Sequence, residues 1–457
     1  MDSQVSTTLI RNVRVFTDGE LHDGAVAFSD GIVTAILFDG EDDIDAFAES
    51  AADTVIDGNG CMLLPGAIDA HVHFREPGLT AKADIASESR AAAAGGVTTV
   101  LDMPNVKPTT TSPEALKEKL ELFAQKSVVN YGIFYGITSD NIEGALNIDQ
   151  QDICGYKVFL GSSTGGMLMN DNSLLRQLLS NTQRVIGVHS ESEDIIRANK
   201  EKALAEVSAK EGHDVDDVPV EYHPIIRSTE ACVATTRNAI ALAKETGANL
   251  HICHITTAAE LDLLDKGTID DKKITAEACV AHLWFTDEDY KTLGTKIKCN
   301  PAIKTLSDRE ALRAGLCNGL IDTIATDHAP HCPSDKIGGA IKAASGMPSI
   351  QFSLLAMLEL VKQGVVSIDT VVKLMCENPA KRYKIADRGT IQLDAKADFV
   401  LVSDKETTTV STDTIISKCG WSPFEGTVFS HKIISTWVNG CEVKDPTPLG
   451  EKIKYNL

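Results

Sequence analysis

Two histidines stand one residue apart in Asp69-Ala70-His71-Val72-His73-Phe74-Arg75-Glu76-Pro77. The apolar run before them, 62–68, reads as the lead into a short buried strand. Side chains at i and i+2 of a strand share a face, so His71 and His73 can reach one metal ion. Histidine is the commonest side-chain ligand for such an ion. A His-x-His pair alone is weak evidence. Ligand-type residues recur, however, in other short apolar runs: Lys157 within 155–160, His189 ending 185–189, His254 ending 250–254 and Asp327 ending 323–327. Any one of the histidines could be a satisfied core residue, His189 alone reading about equally well either way; together the four histidines and the aspartate point to metal. His251 has the opposite parity from His254 and reads as structural. His22, His213, His223 and His431 fall outside the pattern, as surface or packing residues.

Lys157 is flanked by Tyr156, Val158 and Phe159, so its ammonium would sit mostly out of water, where a lone charge is disfavoured. A neutral amine there can react with carbon dioxide. The resulting carbamate is an anion with two oxygens, suited to bridge two dications about 3.5–4 Å apart. The competing reading is an ordinary lysine, snorkelling or salt-bridged.

These residues need a scaffold that brings strand ends together. Strand-like runs near 68–73, 97–103, 130–137, 156–160, 185–189, 250–254, 274–277 and 323–327 alternate with helical stretches such as 113–123 and 229–245. Eight such units fit an α/β fold of the (β/α)8 TIM-barrel type, whose active sites lie at the C-terminal strand ends. A doubly wound open sheet is the alternative, weakened because no glycine-rich nucleotide fingerprint follows an early strand. Both chain ends instead carry short strands and frequent turns: 9–16, 24–28 and 31–37, then 389–393, 397–402 and 433–438. We expect residues 1–66 and 386–457 to pair into one small β-sandwich domain around a barrel over 67–385.

Composition sets the outer limits. The chain has 457 residues, 43% hydrophobic and 24% charged, enough for a large barrel and a smaller companion. A net charge of −22 argues against a nucleic-acid or anionic-membrane partner, and any anionic substrate must find a local positive site. The 11 cysteines show no CxxC pair or regular framework, as in a reduced, cytoplasmic protein. No signal peptide is visible, and the longest apolar stretches are too short and interrupted to span a bilayer.

Two longer motifs carry a family resemblance. Segment 69–77 and Ala325-Thr326-Asp327-His328-Ala329-Pro330-His331-Cys332-Pro333-Ser334-Asp335-Lys336 resemble the dihydroorotases of the amidohydrolase superfamily, supported by Leu101-Asp102-Met103-Pro104-Asn105 and Lys298-Cys299-Asn300-Pro301-Ala302. The resemblance implies two zinc ions per chain. His71, His73 and Asp327 would hold one, His189 and His254 the other, with N6-carboxylated Lys157 and a hydroxide bridging both. It also implies that Arg75, Asn105 and His331 grip a substrate carboxylate and that Asn300 lines the ring pocket. Within the loop at 162–170, the segment 162–166 departs from the family pattern. A homodimer is common for such barrels.

The implied reaction is reversible closure of N-carbamoyl-L-aspartate to L-dihydroorotate and water, a step of pyrimidine biosynthesis, with Asp327 as catalytic proton shuttle. Arg75, two residues past His73, is expected on the same strand face, where its guanidinium matches a carboxylate; a structural salt bridge to Glu76 or a loop acid is the bland reading. Three rivals remain open: a sister cyclic-amide hydrolase acting on hydantoins, dihydropyrimidines or allantoin, an inactive scaffold that binds a partner enzyme, and a mononuclear enzyme with an unmodified Lys157. The acidic stretch 206–221 is expected as a solvated loop rather than a lid.

Overall fold

The computed structural model describes residues 6–161, 166–169, 171–445 and 447–457; the loop positions 162–165 and 170 singled out above lie outside them. Both chain ends build one seven-stranded sheet. Its N-terminal part is the meander β1 (Thr7–Thr17), β2 (Glu20–Ser29) and β3 (Ile32–Phe38). The β1–β2 turn is Asp18-Gly19, with φ of 51° and 86°, the left-handed pair that a two-residue hairpin requires. β4 (Thr54–Pro65) pairs in parallel with β1 and runs on toward the barrel.

The barrel strands are β5 (Ala67–Val72), β6 (Val97–Asp102), β7 (Asn130–Gly136), β8 (Gly155–Phe159), β9 (Ile186–His189), β10 (Leu250–Ile252), β11 (Ile274–Cys279) and β12 (Thr323–Ala325). They pair in parallel in sequence order as an eight-stranded sheet. The ring is drawn together between its two edges by a parallel bridge of Val72 with His328, whose carbonyl accepts the His73 N–H at 2.8 Å. Helices pack outside, and their ends follow local chemistry. Asp84 caps Ile85–Ala94 by accepting from Ser87 N–H, Ser112 caps Pro113–Lys126, and Gly247 (φ 71°) ends Thr229–Thr246. The main core fills the space between strands and helices, with Val72, Val100, Ile133, Val158, Ile186, Ile252 and Ile324 buried.

After the barrel the chain rejoins the first sheet through β13 (Phe399–Ser403), which pairs with β4, adds a two-stranded ladder of β14 (Thr408–Thr409) with β15 (Val428–Phe429), and completes the sheet with β16 (Lys432–Val438) and β17 (Cys441–Glu442). The full order is β17-β16-β13-β4-β1-β2-β3.

Three expectations are corrected. Residues 389–393 form no strand: Gly389 (φ 90°) and Asp394 (φ 66°) break the extended backbone at either end. β4 escaped the sequence reading because Asp57-Gly58-Asn59-Gly60 inside it looks like a turn. The first part of the acidic stretch 206–221, residues 206–211, is the end of the helix Glu193–Glu211, stopped by left-handed Gly212. No helix among the described residues is long and apolar enough to cross a membrane.

Candidate active site

At the C-terminal mouth of the barrel lies a cavity of about 570 Å³. His71, His73, Arg75, Asn105, Lys157, His189, His254, Asn300, Asp327 and His331 all line it. They come from seven of the eight strands or the connections that follow them.

The positioning differs from the strand-parity reading in an instructive way. His71 lies in β5 and His189 ends β9, but His73, His254 and Asp327 fall one or two residues past their strands. His254 (φ 40°), Asp327 (φ 49°) and Arg75 (φ 67°) adopt left-handed backbone, a conformation costly for residues with a Cβ. Three strained residues facing one cavity mark the place where the fold sacrifices local comfort. Arg75 therefore reaches the cavity through a turn rather than along a strand face. Asp102 holds that turn by accepting the Phe74 N–H at 2.7 Å, and buried Lys119 pairs with Asp102 at 2.5 Å.

The polar contacts are short. Asp327 Oδ1 lies 2.9 Å from His73 Nε2 and 3.4 Å from His71 Nε2. His71, His73 and Asp327 each offer a ligand atom within 4.8 Å of the others, a spacing that one divalent cation would close. Nearby, His189 Nδ1 and His254 Nε2 face each other at 2.9 Å. His254 Nδ1 is buried without a hydrogen-bond partner. Lys157 is fully buried and donates to Cys253 Sγ at 3.1 Å.

Behind these groups stands a layer that the sequence reading missed. Glu277 Oε1 accepts from His71 Nδ1 at 2.7 Å, Asn105 Oδ1 from His73 Nδ1 at 2.6 Å and Glu191 Oε2 from His189 Nε2 at 2.9 Å. Such partners fix ring orientation and tautomer. Asn105, expected on the substrate, thus also orients a histidine. Glu277 was recoverable: it is a lone acid in the otherwise uncharged strand Ile274-Thr275-Ala276-Glu277-Ala278-Cys279. His71, Cys253 and Glu277 form a second close group of ligand-type atoms. His251 is buried below, bonded to Thr275 at 2.8 Å, in keeping with its structural reading.

Electrostatics favour cation binding. Burial holds His73, down at about 4, together with His189 and His254, in the neutral form that can ligate. Burial also works against the His71 imidazolium, but Glu277 and Asp327 outweigh it and lift the group to about 10. That proton must leave before the nitrogen can bind a cation. Burial works against the Asp327 carboxylate too, yet His71, His73 and His254 hold it well below the ordinary carboxylate range.

Arg75 is buried, donates from Nε to the Pro330 carbonyl at 3.1 Å and places Nη2 3.2 Å from His331 Nε2. Burial pulls its guanidinium down to about 10, so it stays charged at neutral pH. The salt bridge to Glu76 does not form: Glu76 pairs with Lys126 and accepts the Ile85 N–H. Trp421, from the C-terminal segment, donates Nε1–H to the His331 carbonyl at 2.8 Å and pins this wall.

Comparison with known proteins agrees with this geometry. Residues 62–443 match the amidohydrolase family. A dihydroorotase of Methanosarcina mazei is 32% identical over 430 residues, covering 91% of this chain and 90% of its own. An allantoinase of Bacillus velezensis is 30% identical, covering 96% and 94%. The solved L-hydantoinase (dihydropyrimidinase) of Arthrobacter aurescens superposes with a TM-score of 0.88 at 25% identity, covering 98% and 99%. A TIM-type barrel with metal-ligand groups at its mouth, and relatives of this kind along nearly its whole length, make the chain a member of the amidohydrolase family, a metal-dependent cyclic amidohydrolase.

Proposed function

We propose that this chain is a dihydroorotase, catalysing the reversible cyclisation of N-carbamoyl-L-aspartate to L-dihydroorotate and water. The observation that carries the reading is Arg75: a buried guanidinium in the cavity wall with no ion-pair partner among the described residues. Leaving such a group without a counter-charge costs several kcal/mol. A ring bearing a carboxylate supplies the missing anion; a hydantoin or dihydrouracil ring does not.

The cation-binding groups would be His71, His73 and Asp327 on one side and His189 and His254 on the other, with Lys157, N6-carboxylated, between them. Two zinc ions there would supply Lewis-acid polarisation of the ring carbonyl and an activated water at neutral pH. Asp327 stands ionised at the centre of the histidines, placed to take a proton from the attacking water and pass it to the leaving ring nitrogen. In the biosynthetic direction it works in reverse order. Arg75, His331 and Asn105 hold the substrate carboxylate, and Asn300 borders the ring. Glu277, Glu191 and Asn105 keep the histidine rings from rotating.

The second reading is a hydantoinase or allantoinase, favoured by the allantoinase relative and the hydantoinase structure. A substrate panel separates the two. Purified chain supplied with zinc should hydrolyse L-dihydroorotate far faster than dihydrouracil, hydantoin or allantoin, and should cyclise N-carbamoyl-L-aspartate at acidic pH. Faster turnover of a neutral ring would overturn the assignment.

A further inference from the structure

A ring held between two cations leads beyond the residues already assigned. After the Arg75 turn the backbone tightens, with Leu79 N–H donated to the Arg75 carbonyl at 3.0 Å and Lys82 N–H to the Leu79 carbonyl at 2.9 Å. Lys82 is thereby brought into the wall of the same cavity. Its Nζ lies 3.1 Å from His331 Nδ1, while Arg75 Nη2 lies 3.2 Å from His331 Nε2. Ammonium and guanidinium are donors only, and a neutral imidazole carries one N–H and one acceptor nitrogen. His331 is such a neutral ring: burial, with Arg75, Lys82 and Lys336 around it, pushes it down to about 2.

The ring can therefore accept from only one of its two cationic neighbours, and the choice fixes its chemistry. Accepting from Arg75 would put the ring proton on Nδ1, against Lys82. Accepting from Lys82 puts it on Nε2, beside the Arg75 Nη2. Two adjacent donors then face the cavity, the arrangement that takes both oxygens of a carboxylate. The other acid nearby, Asp335, stands 3.5 Å from His331 Nδ1 and 3.6 Å from Lys82 Nζ, farther from the ring than Lys82 is. The Ser345 backbone carbonyl also faces the ring and is available to an imidazole N–H.

We propose that Lys82 is a positioning residue for substrate selection: by donating to His331 Nδ1 it makes His331 Nε2–H a second carboxylate donor beside Arg75, so that carboxylated cyclic amides are chosen over neutral ones. The inference rests on the proposed function and deepens it.

The test compares wild type, Lys82→Met, Lys82→Ser, Lys82→Arg and Asp335→Asn with L-dihydroorotate and dihydrouracil, metal content being measured for each. Wild type comes first: if it does not prefer dihydroorotate, the functional reading fails before Lys82 is at issue. Given that preference, Lys82→Met and Lys82→Ser should each raise the KM for dihydroorotate about tenfold, the weight of one charge-assisted hydrogen bond. The kcat and metal content should stay within about twofold and dihydrouracil turnover should be unchanged. Lys82→Arg should restore the KM to within about threefold, because it keeps a donor toward Nδ1. Equal losses on both substrates, an unchanged dihydroorotate KM, or a loss of selectivity caused by Asp335→Asn instead would overturn the proposal.

Discussion

His71 and Glu277 share a buried hydrogen bond of 2.7 Å between Nδ1 and Oε1. The two residues stand 206 positions apart in sequence and neither is exposed to solvent. Glu277 occupies the Nδ1 side, so Nε2 is the nitrogen left to turn toward Asp327. Replacing Glu277 by Gln keeps the shape but removes the charge that favours a cation-bound imidazole. Metal affinity should fall about 10–100-fold, read by competition with a chromophoric chelator. Unchanged affinity would show that Glu277 serves packing alone.

Arg75→Ala should separate binding from metal retention. The guanidinium contacts the Pro330 carbonyl and His331 and none of the metal-ligand groups directly. The KM for dihydroorotate should rise about 10–100-fold, the range for hydrogen bonds to a charged group, with metal content intact. Loss of metal in this variant would contradict the assigned role.

Asp327→Ala should abolish turnover in both directions. General acid–base catalysis is worth about 10²–10⁴-fold, and the same carboxylate also belongs to the metal-ligand group. Activity within tenfold of wild type in either direction would rule out Asp327 as the proton carrier.

How far the sequence carried this site depends on the kind of interaction. The barrel strands were legible because buried parallel strands read as short apolar runs between helical stretches. His71, His73 and Asp327 were legible because ligand residue types stood at those strand ends. Glu277 showed only as a lone acid in an otherwise uncharged strand, its role hidden because its partner His71 lies on another strand, and Glu191 must be recognised through the His189 ring it holds. The left-handed backbone at Arg75, His254 and Asp327 was equally hidden, because nothing in those residue types favours it. Lys82 reads as an ordinary surface lysine until His331 is folded against it.

Acid stability should report the contact that ties the C-terminal segment to the barrel mouth. Glu88 is fully buried and accepts from His328 Nε2 at 2.8 Å, Ser417 Oγ at 2.6 Å and the Lys418 N–H at 3.0 Å. His328 Nδ1 accepts the Ser349 N–H, which leaves its proton on Nε2 for Glu88. Burial works against this carboxylate, but His328, Ser417 and Lys418 outweigh it and hold it below the ordinary 4.5. A lowered carboxyl stabilises the fold fully above about pH 4.5, and the contribution is lost as pH falls through the folded value. Glu88→Gln should cost about 3 kcal/mol at pH 7 and flatten the fall of Tm below pH 4.5. An unaltered acid slope in the variant would show that Glu88 does not carry this linkage.

The most direct test counts metal on the purified chain by mass spectrometry, in wild type and in Lys157→Ala, alongside dihydroorotate hydrolysis. The account predicts two divalent ions per wild-type chain, activity lost with a chelator and restored by zinc, and one ion or none with negligible turnover in Lys157→Ala. One ion per active wild-type chain, with metal content and rate unaffected by the loss of Lys157, would contradict it.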